Sequence, residues 1–166
     1  MLKVGRLSRL ATLLENETAK SLGLKFNLET WGDYDIEHTG VLFWKKENIC
    51  QTTACAVGLA CLSGEFKADN LKYARNGLGN IYPIYAEDDR WDAVEAFFGL
   101  TEKEAIDLFY EDSYDGPVSG PLAEKAGAKR IRALIAKKTE GKETGDPQPT
   151  KKAVEKIKRE ALKVAV

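Results

Sequence analysis

The sequence has little of the chemistry that usually marks a catalytic or metal centre. Its 166 residues include one histidine, His38, and three cysteines. A sparse, odd cysteine count argues against a secreted disulfide framework and favours a reducing compartment, so we predict a cytoplasmic protein. No stretch approaches the roughly 18 apolar residues of a membrane span, and residues 1–6 lack the apolar block of a signal peptide.

The chain also lacks a strong net charge and a phosphate-binding loop. Lysine and arginine total 25 and aspartate and glutamate total 26, which disfavours a globally basic nucleic-acid binder. The segment Gly77-Leu78-Gly79 has no third glycine and no following strand–helix unit, and no Walker lysine follows a glycine-rich loop. We therefore predict no nucleotide cofactor.

Charge is nevertheless distributed unevenly along the chain. Residues 87–115 hold eleven acidic and two basic side chains, and residues 124–163 hold thirteen basic and six acidic ones. Such asymmetry is typical either of a partner-binding face or of solvated helix faces that differ in sign. Both interpretations remain open at the level of sequence.

Apolar periodicity predicts a mainly α domain with five to six helices over residues 1–138. The pattern favours helices near 3–15, from Thr52 or Thr53 to Leu62, between about 89 and 98, from 102 to about 110, and from Pro121 to about 138. Gly99 and the capping box of Thr101 and Glu104 divide the third and fourth of these helices into an αα-hairpin.

One small β-hairpin is expected beside these helices. Residues 71–75 and 81–85 alternate, and Asn76-Gly77 between them is a favoured tight turn, although Gly79 makes a longer loop equally possible. Pro83 cannot donate a ladder hydrogen bond, so its strand should lie at a sheet edge.

The C-terminal part divides into a linker and a terminal helix. Residues 139–149 contain no apolar side chain, which is typical of a linker. In residues 150–166 an apolar stripe lies among six basic and two acidic side chains, and consists of Val154, Ile157, Ala161 and Val164. Such a helix gains stability mainly by packing, and we predict that it docks beside the acidic 87–115 segment, in its own or a second copy, giving a possible homodimer.

The segment from Cys50 to Cys61 is small, apolar and almost uncharged, and three hypotheses compete for it. It could be a buried helix whose small stripe of Ala54, Gly58 and Cys61 allows another helix to approach closely. Alternatively, Cys50 just before the helix could be a reactive thiolate, activated by the helix N-terminus and assisted by His38. Such a thiolate would make the protein a cysteine-dependent hydrolase or thiol-transfer enzyme.

The third hypothesis, a metal site, is disfavoured by spacing. Three cysteines and one histidine match a Cys₃His ligand count, but there is no Cys-x-x-Cys pair, and Cys55 and Cys61 point in different directions on a helix. Alternating Asp33, Asp35 and Glu37 lack the glycine and terminal glutamate of a calcium loop. We predict no metal.

Three motifs together carry a resemblance to a known family. They are the aromatic-led residues 26–31 ending in Trp31, the Cys-Gly-Thr-x-x-Cys-x-x-Gly-like residues 50–58, and Phe98-Gly99-Leu100-Thr101 followed by Glu-Ala-x-x-Leu-Phe at 104–109. In this combination the chain resembles a family of small uncharacterised bacterial and phage proteins over about residues 26–137, with Gln51 where the family has glycine. The resemblance implies a small, mainly helical domain and no mechanism.

The leading functional hypothesis is a non-enzymatic interaction or regulatory protein. Residues 31–38 and the acidic helix hairpin are the candidate partner surfaces, and the candidate binding residues are Trp31, Asp33, Asp35, Thr52, Thr53 and Cys55. The enzyme alternative uses Cys50 and His38. A nucleic-acid-binding alternative uses the basic helix 124–138, but the acidic hairpin would repel a duplex, so nucleic acid is the less favoured partner.

Overall fold

The computed structural model describes residues 1–33, 53–77 and 80–143. In these parts the chain is mainly α with small β elements, as predicted. The helices are α1 (Val4–Glu15), α2 (Thr18–Ser21), α3 (Ala56–Leu62), α4 (Arg90–Phe98), α5 (Glu102–Phe109) and α6 (Gly120–Glu143). Single 3₁₀ turns occupy Lys67–Asp69 and Glu111–Ser113.

Two small three-stranded sheets accompany the helices. In the first, β3 (Thr53–Ala54) lies between β1 (Lys25–Phe26), with which it is parallel, and β2 (Gly32–Asp33), with which it is antiparallel. The second sheet has the order β4 (Lys72–Arg75), β5 (Ile81–Tyr85) and β6 (Asp88–Asp89), all antiparallel. The predicted hairpin is therefore present as β4 and β5, with an additional short strand beyond it.

The β-hairpin differs from expectation at its turn and at its edge. The register pairs Arg75 with Ile81, so the connection is the longer loop rather than a two-residue turn at Asn76-Gly77. Strand β5 is not an edge strand, because β6 pairs with it at Ile84 and Tyr85. That pairing ends before Pro83, which is how a residue without an N–H is accommodated in the central strand.

The core lies where α1, α3 and α4 meet. Leu7, Leu10 and Leu14 of α1 are fully buried at helical spacing. Phe66 meets Phe97 and Phe98 of α4 edge-on, with ring centroids 5.5 and 6.3 Å apart. Such edge-to-face pairs stabilise a core beyond the area that they bury.

The helix hairpin of α4 and α5 follows the predicted local signals. Gly99 ends α4 with φ of +67°, and Thr101 and Glu104 form a capping box at the start of α5. A Cβ on Gly99 would lie 2.1 Å from the carbonyl oxygen of Met1, so the N-terminal residues pass directly over this turn. The N–H of Lys3 also donates to the carbonyl oxygen of Phe98 at 2.8 Å.

One carboxylic acid lies in the interior. Glu124 of α6 is only 2% exposed, and its Oε1 accepts a hydrogen bond from the N–H of Ala19 at 3.3 Å. Burial raises the pKa of Glu124. The neighbouring Lys125 points outward and pairs with Glu17 at 2.9 Å, which lowers the pKa of that glutamate.

The chain divides into two compact units, Met1–Ile135 and Ala136–Val166. Helix α6 runs to Glu143, past the end predicted near 138, so residues 139–143 of the predicted linker are helical. Their lack of apolar side chains does not prevent helix formation at an exposed helix end. The predicted C-terminal helix, residues 150–166, lies outside the described residues. None of the helices in the described ranges has both the length and the apolar character required to span a bilayer.

Candidate functional site

The structure brings together four of the residues predicted for binding, Trp31, Asp33, Thr53 and Cys55. Strand register places Asp33 opposite Thr53, and the N–H of Cys55 donates to the carbonyl oxygen of Thr30 at 2.9 Å. Trp31 therefore lies beside the start of α3, although it is 24 positions from Cys55 in the sequence. The pairing of β2 with β3 creates this juxtaposition.

The other four predicted site residues lie outside the described part of the chain. They are the candidate catalytic pair, His38 and Cys50, and the candidate binding residues Asp35 and Thr52. Asp33 is described through its backbone pairing alone. The catalytic hypothesis for Cys50 therefore stays a prediction.

The helix predicted to begin at Thr52 or Thr53 begins instead at Ala56, as α3. Thr53 is extended in β3, and the residue that precedes the helix is Cys55, whose Sγ accepts a hydrogen bond from the N–H of Gly58 at 3.5 Å. Cys55 takes a capping role that is more common for threonine or serine. Thr53 cannot take it, because strand pairing keeps Thr53 extended two residues before the capping position.

Cys55 occupies the position in which a thiolate would be favoured by a helix N-terminus, but it is 2% exposed. Burial raises the pKa of the Cys55 thiol to about 11, and the backbone N–H of Gly58 opposes that rise only in part. Burial likewise raises the pKa of Cys61 to about 12, and its Sγ donates to the carbonyl oxygen of Lys72. Since the thiolate is the nucleophile, both described cysteines have the character of packing residues.

The surroundings of Gly58 show why a small residue is needed in the stripe of Ala54, Gly58 and Cys61, and the reason differs from the predicted one. A Cβ at Gly58 would lie 1.6 Å from the carbonyl oxygen of Trp31. The group that approaches α3 closely is therefore the extended backbone at Trp31, not another helix. Ala54 is buried in β3, and Cys61 is half-buried.

Trp31 begins a row of aromatic rings at the surface. Its ring centroid lies 4.8 Å from that of Trp91 in α4, and Trp91 lies 6.4 Å from Tyr110 at the end of α5. Both tryptophans are half-buried, whereas Tyr110 is 39% exposed. Ile106, one helical turn before Tyr110, is also 39% exposed. We call these four side chains, Trp31, Trp91, Ile106 and Tyr110, the aromatic face.

Acidic residues accompany the aromatic face in the sequence. Trp91, Ile106 and Tyr110 are followed directly by Asp92, Asp107 and Glu111, which are exposed or half-buried. The two basic residues of segment 87–115 are paired within the segment, Arg90 with Asp89 at 3.7 Å and Lys103 with Asp107 at 3.3 Å. The surface near the aromatic face is therefore strongly negative.

Like charges are close enough on α4 and α5 to affect one another. The pKa of Glu95 is raised, first by burial and then by the charges of Asp92 and Glu102. A cationic group placed among these carboxylates would relieve their repulsion. The acidic surface thus favours positive charge electrostatically.

The end of α5 is held firmly against α6. The guanidinium of Arg130 lies 4.0 Å from the ring centroid of Tyr114 and donates to the carbonyl oxygens of Asp107, at 2.7 Å, and Ser113. The hydroxyl of Tyr114 donates to the carbonyl oxygen of Leu108 at 2.5 Å, and burial raises its pKa to about 12. These contacts fix the backbone that carries Ile106 and Tyr110.

Several basic side chains of the predicted nucleic-acid surface are used inside the protein. Lys125 pairs with Glu17, and Arg130 clamps α5. Arg132 donates to both carboxylate oxygens of Glu15, at 2.9 and 2.8 Å. At least three of the six basic residues of the predicted nucleic-acid helix 124–138 are therefore already in intramolecular contacts.

Sequence reasoning identified the two candidate partner surfaces separately and missed their junction. In the local sequence, Trp91, Ile106 and Tyr110 do not differ from the buried apolar residues of the same helices, so the sequence carries no signal of their junction with Trp31. Among the described residues, no group of three or more His, Cys, Asp or Glu side chains could hold a metal ion.

Comparison with known proteins adds no assignment. No family model, curated protein or solved structure matches this chain. The resemblance to small bacterial and phage proteins therefore stays a prediction.

Proposed function

We propose that the chain is a non-enzymatic interaction protein of the cytoplasm that binds a protein partner, or a second copy of itself, through the aromatic face. The observation that supports this proposal is the ring contact of Trp31 with Trp91 at 4.8 Å. It joins Trp31, the first residue of the predicted partner surface 31–38, to the acidic hairpin that carries Trp91.

The face has the composition of a protein-binding surface. Tryptophan and tyrosine are enriched where binding energy concentrates, because they bury much area at a low cost in side-chain entropy. The face is also preorganised, since Gly58 packs on the Trp31 backbone and Arg130 holds the end of α5. A partner would order few of these groups on binding.

The chemistry of the described cysteines supports binding rather than catalysis. Cys55 and Cys61 have raised pKa values, and their sulfur atoms serve a helix cap and a backbone carbonyl. The enzyme alternative depends on Cys50 and His38, and thiol labelling across pH tests it directly.

A panel of helical peptides tests the proposed surface. Three labelled peptides with the same apolar stripe but cationic, neutral or anionic flanks are titrated into the full chain, and binding is followed by fluorescence anisotropy. We expect the cationic peptide to bind most tightly and Tyr110→Ala to weaken it at least tenfold. Leu122→Ala is the matched control, because Leu122 is 69% exposed on α6, outside the face.

Two outcomes of this titration contradict the proposal. If none of the three peptides binds, the aromatic face does not act as a protein-binding surface. Equal losses in Tyr110→Ala and Leu122→Ala would show that binding is not located at the aromatic face.

A further inference from the structure

We propose that the aromatic face is occupied by residues 150–166 of a second copy of the chain. This inference rests on the proposed function and names the partner. It makes the protein a reciprocal dimer in which each copy contributes one C-terminal segment and one face.

Charge complementarity identifies this occupant. Segment 150–166 carries six basic and two acidic residues, whereas 87–115 carries eleven acidic and two basic residues. Both basic residues of the acidic segment are committed to pairs within it, at Asp89 and Asp107. Positive charge that balances the other carboxylates of 87–115 therefore lies outside that segment, and 150–166 is a strongly basic segment of this same chain.

The apolar stripe of the segment is long enough to cover the rings of the face. Val154 and Val164 are ten residues apart, which in a helix corresponds to about 15 Å. The ring centroids from Trp31 through Trp91 to Tyr110 are separated by 4.8 and 6.4 Å, so the three rings span less than this length. A helical stripe of this length can therefore contact all three rings.

The chain that precedes the segment permits exchange with a second copy. Residues 136–140, the last of α6 whose side chains are described, are all exposed. The connection that follows, 144–149, contains Gly145, Pro147 and Pro149. An exposed helix end followed by such a connection can deliver the segment to a neighbouring molecule, and exchange in both directions closes a symmetric dimer.

A charge-swap experiment on the full chain tests the proposal. The segment-reversed variant carries Lys156→Glu, Arg159→Glu and Lys163→Glu. The face-reversed variant carries Asp92→Lys, Asp107→Lys and Glu111→Lys. We expect the unmodified chain to elute with twice the mass of its 18.4 kDa monomer in size exclusion with light scattering. Each variant alone should be monomeric, and an equimolar mixture should recover a dimer containing one of each.

Controls separate a specific effect from damage to the fold. Glu140→Lys reverses an exposed charge that belongs neither to the aromatic face nor to segment 150–166, and it should leave the dimer intact. The segment-reversed variant changes no residue of the described core, so its loss of dimer does not depend on whether the face-reversed variant folds. Recovery on mixing would show that the face-reversed variant is folded.

Three results would overturn the inference: a monomeric unmodified chain, a dimer that survives reversal of the segment, or a variant mixture that remains monomeric. The peptide panel separates this failure from failure of the proposed function. If the unrelated cationic peptide still binds in a Tyr110-dependent manner, the face binds partners and only the choice of 150–166 is wrong. If it does not bind either, both proposals fail.

Discussion

The contact between Gly58 and Trp31 makes replacement of that glycine by alanine a demanding test of the site. The added Cβ would lie 1.6 Å from the carbonyl oxygen and 2.8 Å from the carbonyl carbon of Trp31. Backbone cannot rotate away as a flexible side chain can, so either α3 or the β2 segment must shift. Overpacking of this kind costs about 1–3 kcal/mol, and alanine returns about 1 kcal/mol through its helix propensity.

We expect Gly58→Ala to lower the free energy of unfolding by about 2 kcal/mol, since the clash is with backbone and lies at the upper end of that range. For a chain of this size, the thermal midpoint should fall by about 4–8 °C. A shift of the Trp31 backbone disturbs its ring contact with Trp91, so binding of the cationic peptide should weaken as well. Calorimetry and the anisotropy titration measure the two effects.

Gly5 provides the matched control. It also lies in a helix, but a Cβ there would meet no heavy atom within 4 Å. Gly5→Ala should therefore be neutral or stabilising by up to about 1 kcal/mol. If Gly58→Ala proves as stable as Gly5→Ala, the close approach of the Trp31 backbone to α3 is refuted.

Three further predictions concern charge, thiols and capping. Glu124→Gln should stabilise the protein at pH 7, because a raised folded-state pKa means that ionisation of the buried acid opposes folding, and the gain should vanish as the pH falls below about 4. Glu17→Gln should do the reverse, losing stability at neutral pH and matching the unmodified chain in acid, since its lysine partner lowers its pKa; urea melts across pH that give both variants the same sign would contradict the assignment. In a chain carrying Cys50→Ser and Cys61→Ser, the thiol of Cys55 should react with a disulfide reagent at pH 8 only on unfolding, since its pKa of about 11 leaves about a thousandth of it as thiolate; rapid labelling of the folded chain would count against burial of Cys55. Thr101→Ala should cost about 1 kcal/mol through loss of the capping box, and Thr101→Ser should retain most of it.

The helix hairpin could be predicted almost to the residue because its signals are local. Gly99 ends one helix, and Thr101 and Glu104 begin the next, each acting through neighbours three or four positions away. Helix α1 was equally accessible, since its buried leucines recur at helical spacing. In such segments the interactions that form the helix all lie within a few residues of one another, so the local sequence is enough to predict it.

The two-residue strands could not be predicted for the opposite reason. Thr53–Ala54 is a strand because Lys25–Phe26 and Gly32–Asp33 flank it, and these partners lie 20 or more positions away in the sequence. The acidic pair Asp88–Asp89 has poor β propensity and is extended only because β5 pairs with it. Local pattern carries no information about either pairing.

The candidate site was predictable in its parts and not in its assembly. Trp31 and the acidic hairpin were both nominated from the sequence, but their contact spans 60 positions and depends on how β2 and α4 pack. Contacts between half-buried aromatic rings that are far apart in the sequence produce no periodic pattern in that sequence. The proximity of Trp31 to Cys55 has the same origin, since it is produced by strand register.

The pairing of Asp33 with Thr53 has a consequence for how this protein can change. The chain leaves the first sheet and returns to it at adjacent positions, so residues 34–52 form a closed excursion whose ends are fixed by the sheet. The entropy of closing such an excursion depends only weakly on its length, with about 0.6 kcal/mol for each doubling. Lengthening or shortening the chain between Asp33 and Thr53 therefore changes the closure entropy of this pairing little, so the register of β2 with β3 tolerates a connection of variable length.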